Sequence, residues 1–234
     1  MPGENRERHL AVKKKRLPPW LGIAAIVIVV LLLVIFGLRL RGWLQNGQDS
    51  HMTVLVNPWN GVENSGFAPR LTDLDGLQVD KNVKKPLQEL LAAARQAGFS
   101  PALTAGYRSA EEQQALFDEA VRSLLAGGEL SENEAMEIAS MRVGRPGTSE
   151  HELGLAVDFA EDEALFTWLR ENAWRYGFIL RYPAGSESLT GRDADPCHYR
   201  YVGQAAAEQI HAMNATLEEY LSLFYGDSAQ VIFE

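Results

Sequence analysis

Two short segments constrain this fold more than anything else in the chain. The first runs Ser149-Glu150-His151-Glu152-Leu153-Gly154-Leu155-Ala156-Val157-Asp158, and the second Asp195-Pro196-Cys197-His198-Tyr199-Arg200-Tyr201. Gly154 divides the first into a turn and a Leu-Ala-Val run of strand character, so His151 and Asp158 can reach one point from a turn and a strand. A fold that also delivers His198 there assembles two imidazoles and one carboxylate. These fill three positions of a tetrahedral catalytic zinc and leave the fourth open to water. Asp195, three residues before His198, is then a second carboxylate within reach. It suits a general base, or a group that orients a ligand histidine through its ring N–H. Glu150 and Glu152 are rival carboxylates, although acids flanking such a turn are more often solvated.

The first 40 residues stand apart from this chemistry. No residue from Leu17 to Leu38 is charged, and about 20 mostly aliphatic residues are enough to cross a bilayer as a helix. Trp20 and Trp43 bracket the stretch. A secretory signal peptide is the competing reading, but its apolar core runs to about 7–15 residues and ends at a small-x-small site. Here Gly37-Leu38-Arg39-Leu40-Arg41 follows instead. Arg6, Arg8, Lys13, Lys14, Lys15 and Arg16 precede the span, which by the positive-inside rule keeps a tail of residues 1–19 in the cytoplasm and sends everything after an anchor at 20–40 outside the cell. A polar, Gly-containing linker at 41–53 leads to a domain at 54–225, followed by a tail at 226–234.

Of the chain's 22 Lys and Arg and 31 Asp and Glu, eight and two precede Gly42, which leaves 14 against 29 and a formal charge of −15 on the exported part. Nucleic acid, which needs a basic surface, is excluded as a partner. The single cysteine, Cys197, rules out an intramolecular disulfide framework, so the domain must rely on an ordinary core.

Local signals give the order of elements. Pro86 is placed in a first helical turn, Leu87, Leu90, Leu91 and Ala94 form an apolar stripe, and Gly98 closes it. Capping-box patterns at Ser109-Ala110-Glu111-Glu112 and Ser131-Glu132-Asn133-Glu134 open helices through about Leu125 and Met141. Ala164, Leu165, Trp168, Leu169 and Ala173 form another stripe. One last helix is expected over 204–223, burying Ile210, Met213 and Leu217. Strand-length apolar runs fall at 102–105, 155–159, 178–182 and 198–202, and residues 60–69 read as a turn-rich loop. This order predicts an α+β domain with a small, mainly antiparallel sheet and several helices around it. Strand alternation places Cys197 and Tyr199 on the face opposite His198, and Arg200 on the same face.

These segments, together with Tyr107-Arg108-Ser109, Gln113, Leu116-Phe117, Pro146-Gly147-Thr148, Tyr176-Gly177-Phe178, Arg181-Tyr182-Pro183 and Tyr201-Val202-Gly203, resemble the zinc D-alanyl-D-alanine carboxypeptidases of the VanY type and the related L,D-carboxypeptidases. The resemblance spans roughly Val54 to Leu223. It implies a hedgehog/DD-peptidase-like fold, Zn2+ held by His151, Asp158 and His198, Asp195 in the place of the catalytic glutamate, and peptidoglycan stem peptides as substrate. Arg108, at a helix entrance, fits a clamp for the substrate's terminal carboxylate, because a guanidinium offers two parallel hydrogen bonds. Ser149 and Gln113 stand where the family has groups near the site. Two residues depart from the pattern: the family's Glu-Pro-Trp-His is Asp195-Pro196-Cys197-His198 here, which shortens the base by one methylene, or about 1 Å. A non-catalytic wall-binding module and a zinc endopeptidase acting on cross-bridges are the rival functions.

Overall fold

The structure, a computed structural model, describes residues 52–225. The expected tail and anchor, most of the linker and the C-terminal tail lie outside the described residues. Among the described residues no helix is long and apolar enough to cross a membrane.

In chain order the elements are β1 (Leu71–Leu74), β2 (Leu77–Asp80), α1 (Lys81–Gln96), β3 (Leu103–Ala105), α2 (Ala110–Leu125), α3 (Glu132–Arg142), β4 (Ala156–Phe159), α4 (Glu163–Asn172), β5 (Phe178–Tyr182), the short α5 (Glu187–Thr190), β6 (Asp195–Tyr201), α6 (Gln204–Met213) and α7 (Leu217–Tyr225). The α+β expectation stands. Strands β3, β4, β6 and β5 form one sheet in that order, antiparallel throughout, and β1–β2 form a separate hairpin.

The sheet has two unlike faces, and strand alternation sorts the residues between them. Val157, Phe159 and Tyr199 point into the main core with Val83, Leu87, Leu90 and Ala94 of α1 and Leu165, Phe166 and Leu169 of α4. On the other face Ile179 joins a smaller apolar cluster with Ala206, Ala207 and Ile210 of α6 and Leu217 and Leu221 of α7. That second face also carries Asp158, His198 and Arg200.

Several elements differ from the sequence expectation. The β1–β2 hairpin was not anticipated; its two-residue turn is Asp75-Gly76, both at positive φ, as a tight hairpin turn requires. Helix α1 begins at Lys81, capped by the Asp80 carboxylate on the Asn82 N–H at 2.8 Å, so Pro86 lies inside the helix and not in its first turn. Both capping boxes form at Ser109 and Ser131. The expected last helix is two, broken where Asn214 adopts φ 50. The break leaves Met213 exposed.

Candidate functional site

Strand register joins two of the three expected ligands. Asp158 on β4 lies opposite His198 on β6, and opposed residues project from the same face about 5 Å apart. His198 Nδ1 is 2.9 Å from Asp158 Oδ1. His151 comes from the 3-10 turn Glu150–Leu153 just before β4, and its Nε2 is 3.2 Å from Asp158 Oδ2. The two imidazoles meet edge-on with centroids 4.9 Å apart. Ligand atoms of all three residues fall within 4.8 Å of one another, the one such cluster among the described residues.

The hairpin that local signals did not reveal holds this turn from behind. Gly154 (φ +65) accepts a hydrogen bond from Asp80 N–H at 2.9 Å, and a Cβ at Gly154 would sit 2.9 Å from that nitrogen. Gly106 is pressed against β2 even more closely, since a Cβ there would lie 2.5 Å from Gln78 O. The Gly106 carbonyl is thereby placed 2.7 Å from His151 Nδ1. A carbonyl only accepts, so Nδ1 carries a proton, and Nε2, the nitrogen beside Asp158, is the one that could offer a lone pair to a metal. The donor set therefore fits a zinc ion. Burial disfavours the Asp158 carboxylate charge, but the neighbouring His151 and His198 more than offset this and hold its carboxyl far below the usual range. Burial likewise opposes charge on His198, yet contacts with Asp158 and Glu150 raise its pKa to about 9.

A cavity of about 490 Å3 opens over the cluster, lined by His151, Asp158 and His198 together with Arg108, Ser149, Tyr182, Arg192 and Asp195. Arg108 is oriented from both ends. Its backbone N–H donates to His151 O at 3.1 Å, and its Nη1 donates to Gln113 Oε1 at 2.8 Å. Gln113 is fully buried and spends its own amide on the carbonyls of Val143 and Gly144, both at 2.8 Å. Gln113 thus does not line the cavity; it fixes Arg108 and ties α2 to the loop after α3.

Asp195 reaches the cavity through a strand irregularity. Leu180 pairs with Tyr199 but Tyr182 pairs with Asp195, so a two-residue step on β5 covers a four-residue step on β6. Such a bulge re-aims side chains that strict alternation would send to the core side. Asp195 Oδ1 accepts from the Cys197 N–H at 3.0 Å and from its thiol at 2.9 Å. Cys197 itself packs against the main core, on the face opposite His198.

Local reasoning missed three contributors. The Tyr182 ring lies against His198, centroids 4.9 Å apart, and burial pushes its hydroxyl pKa up to about 12. Arg192 spans from Ser140 O to Thr148 O and Oγ1, closing one wall of the cavity. Glu150, expected to be solvated, is instead 1% exposed. Its Oε1 accepts from Arg181 Nε at 2.8 Å and Arg200 Nη1 at 2.7 Å, and Arg181 forms two further bonds, at 2.9 and 2.7 Å, with Glu218. The usable signal was the placement of Arg200 on the His198 face, since a buried guanidinium demands a carboxylate. Glu152 is also largely buried; its carboxylate accepts from Gly147 N–H at 2.8 Å, and burial raises its pKa.

Comparison with known proteins gives the chain a family. The family model described as VanY, D-alanyl-D-alanine carboxypeptidase, matches residues 76–204. A D-alanyl-D-alanine carboxypeptidase of Enterococcus faecalis is 40% identical over 185 residues, 76% of this chain and 68% of that protein. Among solved structures, a vancomycin-resistance D,D-pentapeptidase VanY from a VanB-type cassette, in complex with Zn(II), superposes with a TM-score of 0.69 at 40% identity, over 74% of this chain and 99% of that one. VanYB in complex with D-alanine-D-alanine gives a TM-score of 0.70 at 40% identity, over 73% and 97%. With the family model covering more than half of its length, the chain belongs to the VanY family of D-alanyl-D-alanine carboxypeptidases.

Proposed function

We propose that this domain is a zinc-dependent D,D-carboxypeptidase that removes the terminal D-alanine from peptidoglycan stem peptides. One observation carries the proposal: a single cavity holds a three-ligand donor set, a second carboxylate and an oriented guanidinium. His151 Nε2, Asp158 and His198 Nδ1 would hold the ion, which supplies a Lewis acid for the scissile carbonyl and acidifies a bound water. Asp195 accepts a proton from the attacking water and returns it to the leaving D-alanine amine. Arg108 receives the substrate's terminal carboxylate and Gln113 keeps that guanidinium in place. Ser149 lines the wall between them. The relatives that bind D-alanine-D-alanine and Zn(II) at 40% identity support both the substrate class and the metal.

The N-terminal segment completes the proposal. A single span at 20–40, with the basic tail inside, would place the domain in the wall compartment where its substrate lies. Protease accessibility of tags at the two ends of the chain in intact cells tests this; an externally cleaved N-terminal tag would reverse the topology.

For the chemistry, the test is D-alanine release by the zinc-loaded chain from a peptide ending in D-Ala-D-Ala. Release lost on chelation and restored by zinc is the expected result. Binding without release would leave a wall-binding module, and new amines without free alanine would mark an endopeptidase.

A further inference from the structure

Behind His198 lies a group of charges that the proposed reaction does not use. We propose that Glu150 is a positioning residue for the metal site: its free carboxylate oxygen receives the Nε2–H of His198, which fixes the histidine tautomer that presents Nδ1 to the ion. This rests on the metal reading above and adds the element that sets the third ligand.

Three observations carry it. First, His198 faces Asp158 through Nδ1, so coordination at Nδ1 requires the ring proton on Nε2, and there it needs an acceptor. Second, Nε2 is buried without a hydrogen-bond partner, and so is Glu150 Oε2; the two face each other at 3.6 Å, a gap that a shift of about 0.6 Å closes to hydrogen-bond length. Third, Glu150 cannot turn away. Its other oxygen is held by two guanidiniums, Arg181 and Arg200, each fully buried. Those are anchored in turn: Arg181 on Glu218 of α7, and Arg200 Nη2 on the carbonyls of Met52 and Val54 at 3.0 and 2.8 Å. Two arginines and two glutamates balance in charge, so Glu150 remains an anionic acceptor inside the protein. The orientation of a metal ligand is thus tied to both ends of the described domain.

The discriminating variant is Glu150→Gln, nearly identical in shape. Arg181 and Arg200 both donate, so they hold the amide oxygen at the Oε1 position and force the NH2 towards His198. Nε2 must then accept, the ring proton moves to Nδ1, and Nδ1 no longer offers a lone pair. We expect Zn2+ affinity of the full chain, measured by chelator competition, to fall roughly 10–100-fold, and the visible spectrum of the Co2+-loaded protein to lose its tetrahedral signature, while near-UV circular dichroism is unchanged. If Glu150→Gln fails to fold, 15N NMR of the zinc-loaded wild type decides alone: a protonated Nε2 on His198 supports the assignment, and an unprotonated, coordinating Nε2 overturns it. A folded Glu150→Gln with undiminished affinity also overturns it. A wild type that binds no zinc would instead remove the metal reading and leave its own distinct mark, since no variant comparison would then be needed.

Discussion

Glu218→Ala should cost this domain a large part of its stability, although Glu218 does not line the cavity. Glu218 accepts two hydrogen bonds from Arg181, at 2.9 and 2.7 Å, and one from Asn57 Nδ2 at 3.2 Å. Without it Arg181, fully buried, keeps only Glu150 Oε1, which it already shares with Arg200, and the buried group changes from neutral to net positive. Removing one partner of a buried ion pair costs about 3–5 kcal/mol, against a total of about 5–15 kcal/mol for a typical domain. The apolar anchors of α7, Leu217, Tyr220 and Leu221, stay in place, so the loss is electrostatic. With a urea slope of about 2 kcal/mol per molar, the midpoint should fall by about 1.5–2.5 M at unchanged slope. The paired change Arg181→Met with Glu218→Leu, which leaves Glu150 and Arg200 as a neutral couple, should recover most of that. A Glu218→Ala midpoint within about 0.5 M of wild type, or a double variant no better than the single, would refute the reasoning.

Three further outcomes follow from the site. Asp195→Asn should retain zinc but lose turnover by about 10²–10⁴-fold, because an amide cannot take the water's proton; full activity would move the base elsewhere, with Glu152 the first to test. Arg108→Lys should lower kcat/KM for peptides with a free terminal carboxylate although the charge is kept, and Gln113→Ala should do the same in kind, since it removes the acceptor that orients Arg108 Nη1; equal turnover in both variants would reduce Arg108 to a structural cation. Zinc uptake at pH 7 should release a proton, because His198, with its pKa raised to about 9, is charged at that pH and must be neutral to coordinate. Apparent affinity should therefore climb with pH up to about 9, and calorimetry in buffers of different ionisation enthalpy that detects no proton release would contradict this.

What local sequence reveals, and what it hides, divides along physical lines. The candidate metal cluster was legible because β-strand alternation has period two, so Asp158 and His198 needed only antiparallel neighbours in register to meet. Helix starts at Ser109 and Ser131 were legible because the capping box is a four-residue interaction. The β1–β2 hairpin left a usable trace, Asp75-Gly76 between short apolar runs, but four-residue strands with half-exposed faces give little alternation to count. Asn214 likewise marked the break between α6 and α7, since asparagine tolerates the left-handed conformation that ends a helix. Pro86 misled because the start of α1 is set by Asp80, which also accepts from the Arg70 N–H at 2.8 Å across the hairpin. The burial of Glu150 was out of reach altogether: its arginines come from positions 31 and 50 residues downstream. A carboxylate's solvation depends on such partners and not on its neighbours in sequence.

The two departures from the family pattern, Asp195 and Cys197, form one local unit. They stand two residues apart at the irregular end of β6, and the thiol and backbone N–H of Cys197 both donate to Asp195 Oδ1. Burial first, then the bond to Asp195, pushes the Cys197 thiol far up, so it keeps its proton and acts as a donor, not as a nucleophile or a metal ligand. One oxygen of the shorter carboxylate is thereby fixed, and Oδ2 is the one left for the proton transfer proposed above. An aspartate has fewer rotamers than a glutamate and, held by two donors, loses little freedom when it acts. A shorter arm and a small neighbour therefore compensate each other: the side chain reaches less far into the cavity, but the bulge and the thiol determine where it points.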